Sequence, residues 1–94
     1  MKDGEHINYY LSGEILSKFF ILDGERHGEY ISYYISGDIS FKYWFLDGNL
    51  HGECISYYDS GDISSKSYYI DGNLVIELEW LSYNRNIKFE LLGL

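Results

Sequence analysis

Residues 23–34 read DGERHGEYISYY, and residues 47–58 read DGNLHGECISYY. The likeness extends further. Residues 23–46 and 47–70 match at 15 of 24 positions without a gap, sharing DG, HGE, ISYY, SGDIS and a lysine in fixed register. Self-similarity at a fixed period outranks other signals, because every local motif must fit the architecture it sets. The register also runs backwards: Asp3-Gly4-Glu5 falls on His27-Gly28-Glu29, Tyr9-Tyr10 on Tyr33-Tyr34, and Lys18 on Lys42 and Lys66. Forwards, a fourth unit opens with Asp71-Gly72-Asn73-Leu74 and then decays. Val75 and Ile76 take the His and Gly slots, and Asn84-Arg85 replaces the Ser-Gly turn. Units of about 1–22, 23–46 and 47–70, with 71–94 as a divergent C-terminal cap, make a single repeat domain. End units are atypical because one side has no neighbour to match.

Within a unit the apolar residues alternate, which argues for strands rather than helices. Each unit holds one strand like ECISYY and one like ISFKYWFL. Ser-Gly (36–37, 60–61) and Asp-Gly (23–24, 47–48, 71–72) separate them. Asp-Gly between such runs predicts a type I′ hairpin turn. No segment carries a helical stripe of useful length, so an all-β fold is expected. It is an elongated, twisted antiparallel meander of about eight strands built from 24-residue β-hairpin repeats.

Two-residue loops on both dipeptides predict a definite register. Leu46 falls opposite Asn49, Tyr43 opposite Gly52 and Lys42 opposite Glu53; on the other side, Tyr34 meets Ile39, Ile31 meets Lys42 and Glu29 meets Trp44. A lysine then meets a carboxylate in each unit (Lys18–Glu29, Lys42–Glu53), and an aromatic ring (Phe19, Tyr43) covers a strand glycine (Gly28, Gly52). One face carries Ile31, Tyr33, Trp44 and Leu46 beside His27, Glu29 and Lys42. The other carries Tyr30, Tyr34, Ile39, Phe41, Tyr43 and Phe45 beside Ser32 and Gly28. Neither is plainly polar. A single-layer sheet of this kind must curl on itself, pair with another molecule or hold a partner. Tyrosine, with a rigid apolar body and one wet end, suits that work.

Composition agrees with a thin aromatic sheet. Of 94 residues 19% are aromatic, 11 of them tyrosines, and there is no proline. A chain this short buries a modest share of its surface unless units stack. Net charge is −8. That speaks against nucleic acid and anionic membranes, which require Lys and Arg to meet phosphates, and favours a basic protein partner or simple solubility. Cys54 is the sole cysteine, so no disulfide framework or Cys-based metal site exists. A free thiol suits a reducing compartment. MKDGEHINYY has no apolar leader core, and no run approaches a membrane span. A cytoplasmic setting is expected.

The stretch HGEYISYYISGDISFKYWFLDGNLHGE resembles the MORN (membrane occupation and recognition nexus) repeat, and most nearly the bacterial variant of the YwqK-type antitoxin family. Gly28, Tyr33, Tyr34, Gly37, Asp47 and Gly48 carry the resemblance in one unit; Gly52, Tyr57, Tyr58, Gly61, Asp71 and Gly72 carry it in the next. It covers about 3–92. The resemblance implies a twisted, elongated stack of hairpins with a protein-binding role, often as the antitoxin or immunity side of a toxin pair. Eukaryotic MORN arrays are linked to membrane lipids; this acidic chain lacks the basic clusters which that would need.

Chemistry finds little foothold. His27-x-Glu29 and His51-x-Glu53 each place two donor groups on one strand face. Equivalent residues of neighbouring units stand two strands apart, about 9–10 Å, whereas zinc holds its ligands at about 2 Å. No metal or other cofactor is expected. Glu29, Glu53, Asp38 and Asp62 recur with the repeat, while paired catalytic carboxylates need unequal surroundings. Cys54 lacks an evident activating partner, and neither a phosphate loop nor a nucleophile elbow is present. The chain reads as a binding protein, not an enzyme. Tyr33, Tyr34, Trp44, Tyr57, Tyr58 and Tyr68 are the expected anchors for a protein partner, with a basic toxin as its chemistry. The alternative is a self-associating scaffold, a homodimer joined through its half-apolar sheet faces or its open end strands at 5–10 and 86–92.

Overall fold

The computed structural model describes residues 2–91, with side chains as far as Arg85. Nine antiparallel strands form one open sheet: β1 (Gly4–Tyr9), β2 (Ile15–Leu22), β3 (Glu25–Arg26), β4 (Gly28–Tyr33), β5 (Ile39–Leu46), β6 (Asn49–Leu50), β7 (Gly52–Tyr57), β8 (Ile63–Ile70) and β9 (Asn73–Val75). The order is β1-β2-β4-β5-β7-β8-β9, with β3 on β2 and β6 on β5. The all-β meander is as expected, but the last described element is a helix, α1 (Glu77–Leu91).

The Asp-Gly turns behave as predicted. Asp23, Asp47 and Asp71 take φ of 52, 49 and 50°, each followed by a glycine at 78 to 84°, the double positive φ of a type I′ turn. The turns also stack between units. Gly48 N–H donates to the Arg26 carbonyl at 3.0 Å, and Gly72 N–H to that of Leu50 at 2.8 Å.

The Ser-Gly turns differ. Tyr34 N–H donates to the Asp38 carbonyl and Gly37 N–H to the Tyr34 carbonyl, so the loop is three residues long. Tyr33 therefore faces Ile39, in place of Tyr34, and Ile39 joins the Ile31/Tyr33 side. A bulge at Ser40 then restores the expected register, with Ile31 opposite Lys42 and Glu29 opposite Trp44.

A larger correction falls at the histidine-glycine pairs. Leu46 faces Asn49 and His51 N–H donates to the Trp44 carbonyl, yet beyond them Lys42 faces Ile55. Three residues, Gly52 to Cys54, thus stand opposite one, Tyr43. Gly52 sits at φ +97°, open to glycine without strain, and there the strand leaves its first partner. Glycines 28 and 52 consequently pair with Phe45 and Tyr69, not with Phe19 and Tyr43. The Lys18–Glu29 and Lys42–Glu53 pairings give way to a ladder, Ile7–Lys18–Ile31–Lys42–Ile55–Lys66, one residue per strand. Glu53 meets Lys66 instead, at 3.4 Å.

The two faces have separate work. On one, His6, Phe19, Tyr30 and Phe41 stack nearly parallel across four strands, with centroids 5.2, 5.3 and 6.0 Å apart. The Arg26 guanidinium stands 5.4–5.6 Å from the Phe19, Tyr30 and Phe45 rings, within cation–π range. Ile21, 1% exposed, anchors this side at about 1.5–3 kcal/mol of burial. The other face carries the Ile/Lys ladder.

The expected end strand over 86–92 is helix as far as Leu91; residues 92–94 lie outside the described residues. Ile76-Glu77-Leu78-Glu79-Trp80 alternates like a strand, which disguises the helix. The fourth unit lacks the Ser-Gly turn needed to return a strand. Glu77 and Glu79 in the first turn suit the positive end of a helix dipole.

Candidate functional site

The ladder face is divided into repeating compartments. In the second unit Glu29 pairs with Trp44 beside Lys42. The offset of 24 residues gives Glu5, Phe20 and Lys18 in the first unit and Glu53, Tyr68 and Lys66 in the third. A cleft of about 360 Å³ is lined by Glu29, Lys42, Trp44, His51, Glu53, Ile55 and Trp80. A second, of about 320 Å³, is lined by Glu5, Lys18, Phe20, Glu29 and Ile31, five positions that are those of the first cleft shifted by one unit. A third, of about 460 Å³, reuses Lys66 and Tyr68 with Val75, Ile76, Glu77 and Glu79. The clefts are thus a property of the repeat.

The helix treats the units unequally. Trp80 stacks on Tyr68 (6.5 Å, 24°) and stands edge-on to His51 (5.5 Å). Tyr83 also meets His51 edge-on, and the Tyr68 hydroxyl donates to Glu77. Trp80 fills the space over Gly52, lying 3.6 Å from where a β-carbon would be. Over Gly28 and Gly4, the equivalents, no described residue comes within 4 Å of that position. Tyr68 is accordingly 7% exposed, while Trp44 and Phe20 are 47% and 44% exposed.

The expected anchors sort into two groups. Trp44 is open and Tyr68 is covered by the chain's own helix, a correction that follows from helix replacing strand in the cap. Tyr33, Tyr34, Tyr57 and Tyr58 lie at the Ser-Gly end, about 13 Å along the strands from the Glu29–Trp44 pair. Tyr33 and Tyr57 are half-buried beside Ile39 and Ile63. Tyr34 ties units together, its hydroxyl donating to the Tyr57 carbonyl at 2.5 Å. Tyr58 is 55% exposed. Sequence reasoning missed Phe20 and Trp80. Phe20 was findable, since any residue lining a cleft at Trp44 must recur 24 positions away.

The histidine slot has a structural job. The Asp71 N–H points at His51 Nδ1 at 3.4 Å, with the Asp71 carboxylate 3.8 Å away. In the first unit Asp3 occupies the same slot, and its carboxylate accepts from the N–H groups of Asp23 (3.1 Å) and Gly24 (2.9 Å). Histidine and aspartate thus both cap the next Asp-Gly turn. Among the described residues no three His, Cys, Asp or Glu groups gather as a metal site would require. Burial pushes the Cys54 thiol up from its ordinary value, which disfavours the nucleophilic thiolate.

The family profile described as MORN repeat variant matches residues 50–71. That span runs from Leu50, the end of β6, through β7, the Ser-Gly turn and β8 to Asp71, most of one 24-residue unit. A MORN repeat variant points to a protein-binding or scaffold module. Neither the curated proteins nor the solved structures gave a match. No described helix is long and apolar enough to cross a membrane.

Proposed function

We propose that this chain is a non-catalytic module that binds a protein on its ladder face, as the antitoxin or immunity half of a toxin pair, in a reducing, cytoplasmic setting. One observation carries the reading. Two clefts of like composition repeat along that face, each with an aromatic ring left almost half exposed between a glutamate and a lysine. Exposed aromatic side chains that can be desolvated on contact are the usual anchors of interfaces. Acidic residues around them would raise the rate of encounter with a basic partner more than the final affinity. Repetition itself weighs against catalysis, because acid and base roles need unequal environments.

The test is capture from a host lysate with the tagged full chain, its Phe20→Ala and Trp44→Ala variants, and Leu11→Ala as a control at an exposed turn. Loss of one specific protein with the first two and not the third is the expected result. Equal capture by all four, with folding intact, would sink the reading. For the antitoxin role, co-expression with a captured basic protein that arrests growth should restore growth, and Trp44→Ala should abolish that rescue.

One observation favours self-association as a second reading. Strand β1 ends the sheet order, and an open edge invites pairing with a second copy. Sedimentation across a wide concentration range separates the two readings: a monomer throughout excludes the dimer.

A further inference from the structure

Resting on the binding role above, we infer that the partner presents a helix, laid across the strands, with aromatic side chains seven residues apart seated over Gly28 and Gly4. The chain already shows one such seat filled. Trp80, carried by a helix, sits over Gly52 against Tyr68 and His51. The 24-residue offset reproduces that seat twice. Gly28 lies with His27 and Trp44, and Gly4 with Asp3 and Phe20. In both, no described residue stands where Trp80 does in the third. A seat built the same way and left empty accepts the same kind of occupant.

The chain's own helix packs against β8, while the next seat, at Gly28 on β4, lies two strands beyond Gly52, about 9–10 Å away. The same spacing sets the occupant's register. Seven residues of α-helix advance about 10.5 Å and return to the same helix face, so one straight helix can meet both open seats.

Charge selects a basic helix. Asp23, Asp47 and Asp71 line the Asp-Gly end of the seats, and Glu14, Asp38 and Asp62 line the Ser-Gly end, all exposed. The ladder lysines between them are matched by Glu5, Glu29 and Glu53 along the same face. The chain as a whole carries −8. Lysines or arginines flanking the aromatic stripe of the partner would lie over those acidic margins.

The probe is a lysine-rich helical peptide of about 20 residues, long enough to hold a helix, made with two tryptophans seven apart and, separately, five apart. Each is titrated into the full chain by calorimetry. The expected result is saturable binding, about tenfold tighter for the seven-residue spacing, a gap of about 1.4 kcal/mol. Trp44→Ala and Phe20→Ala should each erase that preference, and amide resonances of Gly4 and Gly28 should shift while that of Gly52 stays. Equal affinity for both spacings, absence of saturable binding, or self-association of the chain through Trp44 would overturn the inference. The binding role stands or falls separately: lysate capture that still depends on Trp44 after such a result leaves it intact with a partner of another shape.

Discussion

The hydroxyl of Tyr34 donates to the carbonyl of Tyr57, 23 residues on in the next unit, just as Tyr10 donates to Tyr33. The second tyrosine of each YY pair is therefore a rung between units, not a free surface group. Tyr34→Phe keeps the ring and deletes the bond, leaving a part-buried carbonyl without that donor, so it should cost about 0.5–1.5 kcal/mol. Tyr58 has no equivalent rung ahead of it, because position 81 lies in α1. Tyr58→Phe should stay within about 0.5 kcal/mol of the parent, as exposed substitutions do. Urea midpoints at unchanged slope measure both.

Asp3 and His51 perform one task with different chemistry, which makes them exchangeable. Asp3→Ala strips the acceptor from the N–H groups of Asp23 and Gly24 and should cost about 1 kcal/mol. Asp3→His restores the group native to that slot and should recover most of the loss. Hydrogen exchange at the Gly24 amide gives a local readout: fast in the alanine variant, slow in the other two. Similar exchange in all three would show that the cap does not protect the turn.

Period, strand alternation and Asp-Gly turns specify a meander because each is a local rule, and the 24-residue repeat makes each rule reinforce the next. Register beyond the histidine depended on where the strand changes partner, and that is decided by the positive φ of Gly28 and Gly52. A glycine in a strand signals either a covered backbone or a bulge; choosing between them needs the three-dimensional twist. The cap was hidden for a related reason. Period-2 alternation over 76–80 lacks a returning strand, and a strand without a partner yields to a helix. Since Trp80 belongs to that helix, the covering of Tyr68 and the contrast with open Trp44 could not be read beforehand.

Cys54 offers a pH test. Burial raises its thiol above the ordinary 9.0, so the native state holds the proton more tightly than the unfolded chain. Above about pH 9 the unfolded chain has released more protons than the native one, and stability must fall with rising pH. The loss begins at the unfolded thiol's value and continues up to the raised native one. Cys54→Ala removes this contribution and should flatten the alkaline limb of stability against pH above the ordinary thiol value. At neutral pH the native thiol should react with iodoacetamide far more slowly than the denatured chain does. Equal rates would mean that the thiol is accessible in the native state.

Trp80→Ala probes the helix as an occupant of the third seat. The ring is half-buried against Tyr68, His51 and Gly52, so its removal should cost about 1–3 kcal/mol, below the range for a fully buried tryptophan. The more telling effect is on the surface. Tyr68 should become exposed like Trp44, and Lys66, whose ammonium lies 5.8 Å from the Tyr68 ring, should gain water. With three equivalent seats open, a peptide bearing three tryptophans at seven-residue spacing should bind the variant about tenfold more tightly than the parent, one added anchor being worth that much. Unchanged affinity would mean that the helix leaves the third seat readily, so that Trp80 competes only weakly with a partner.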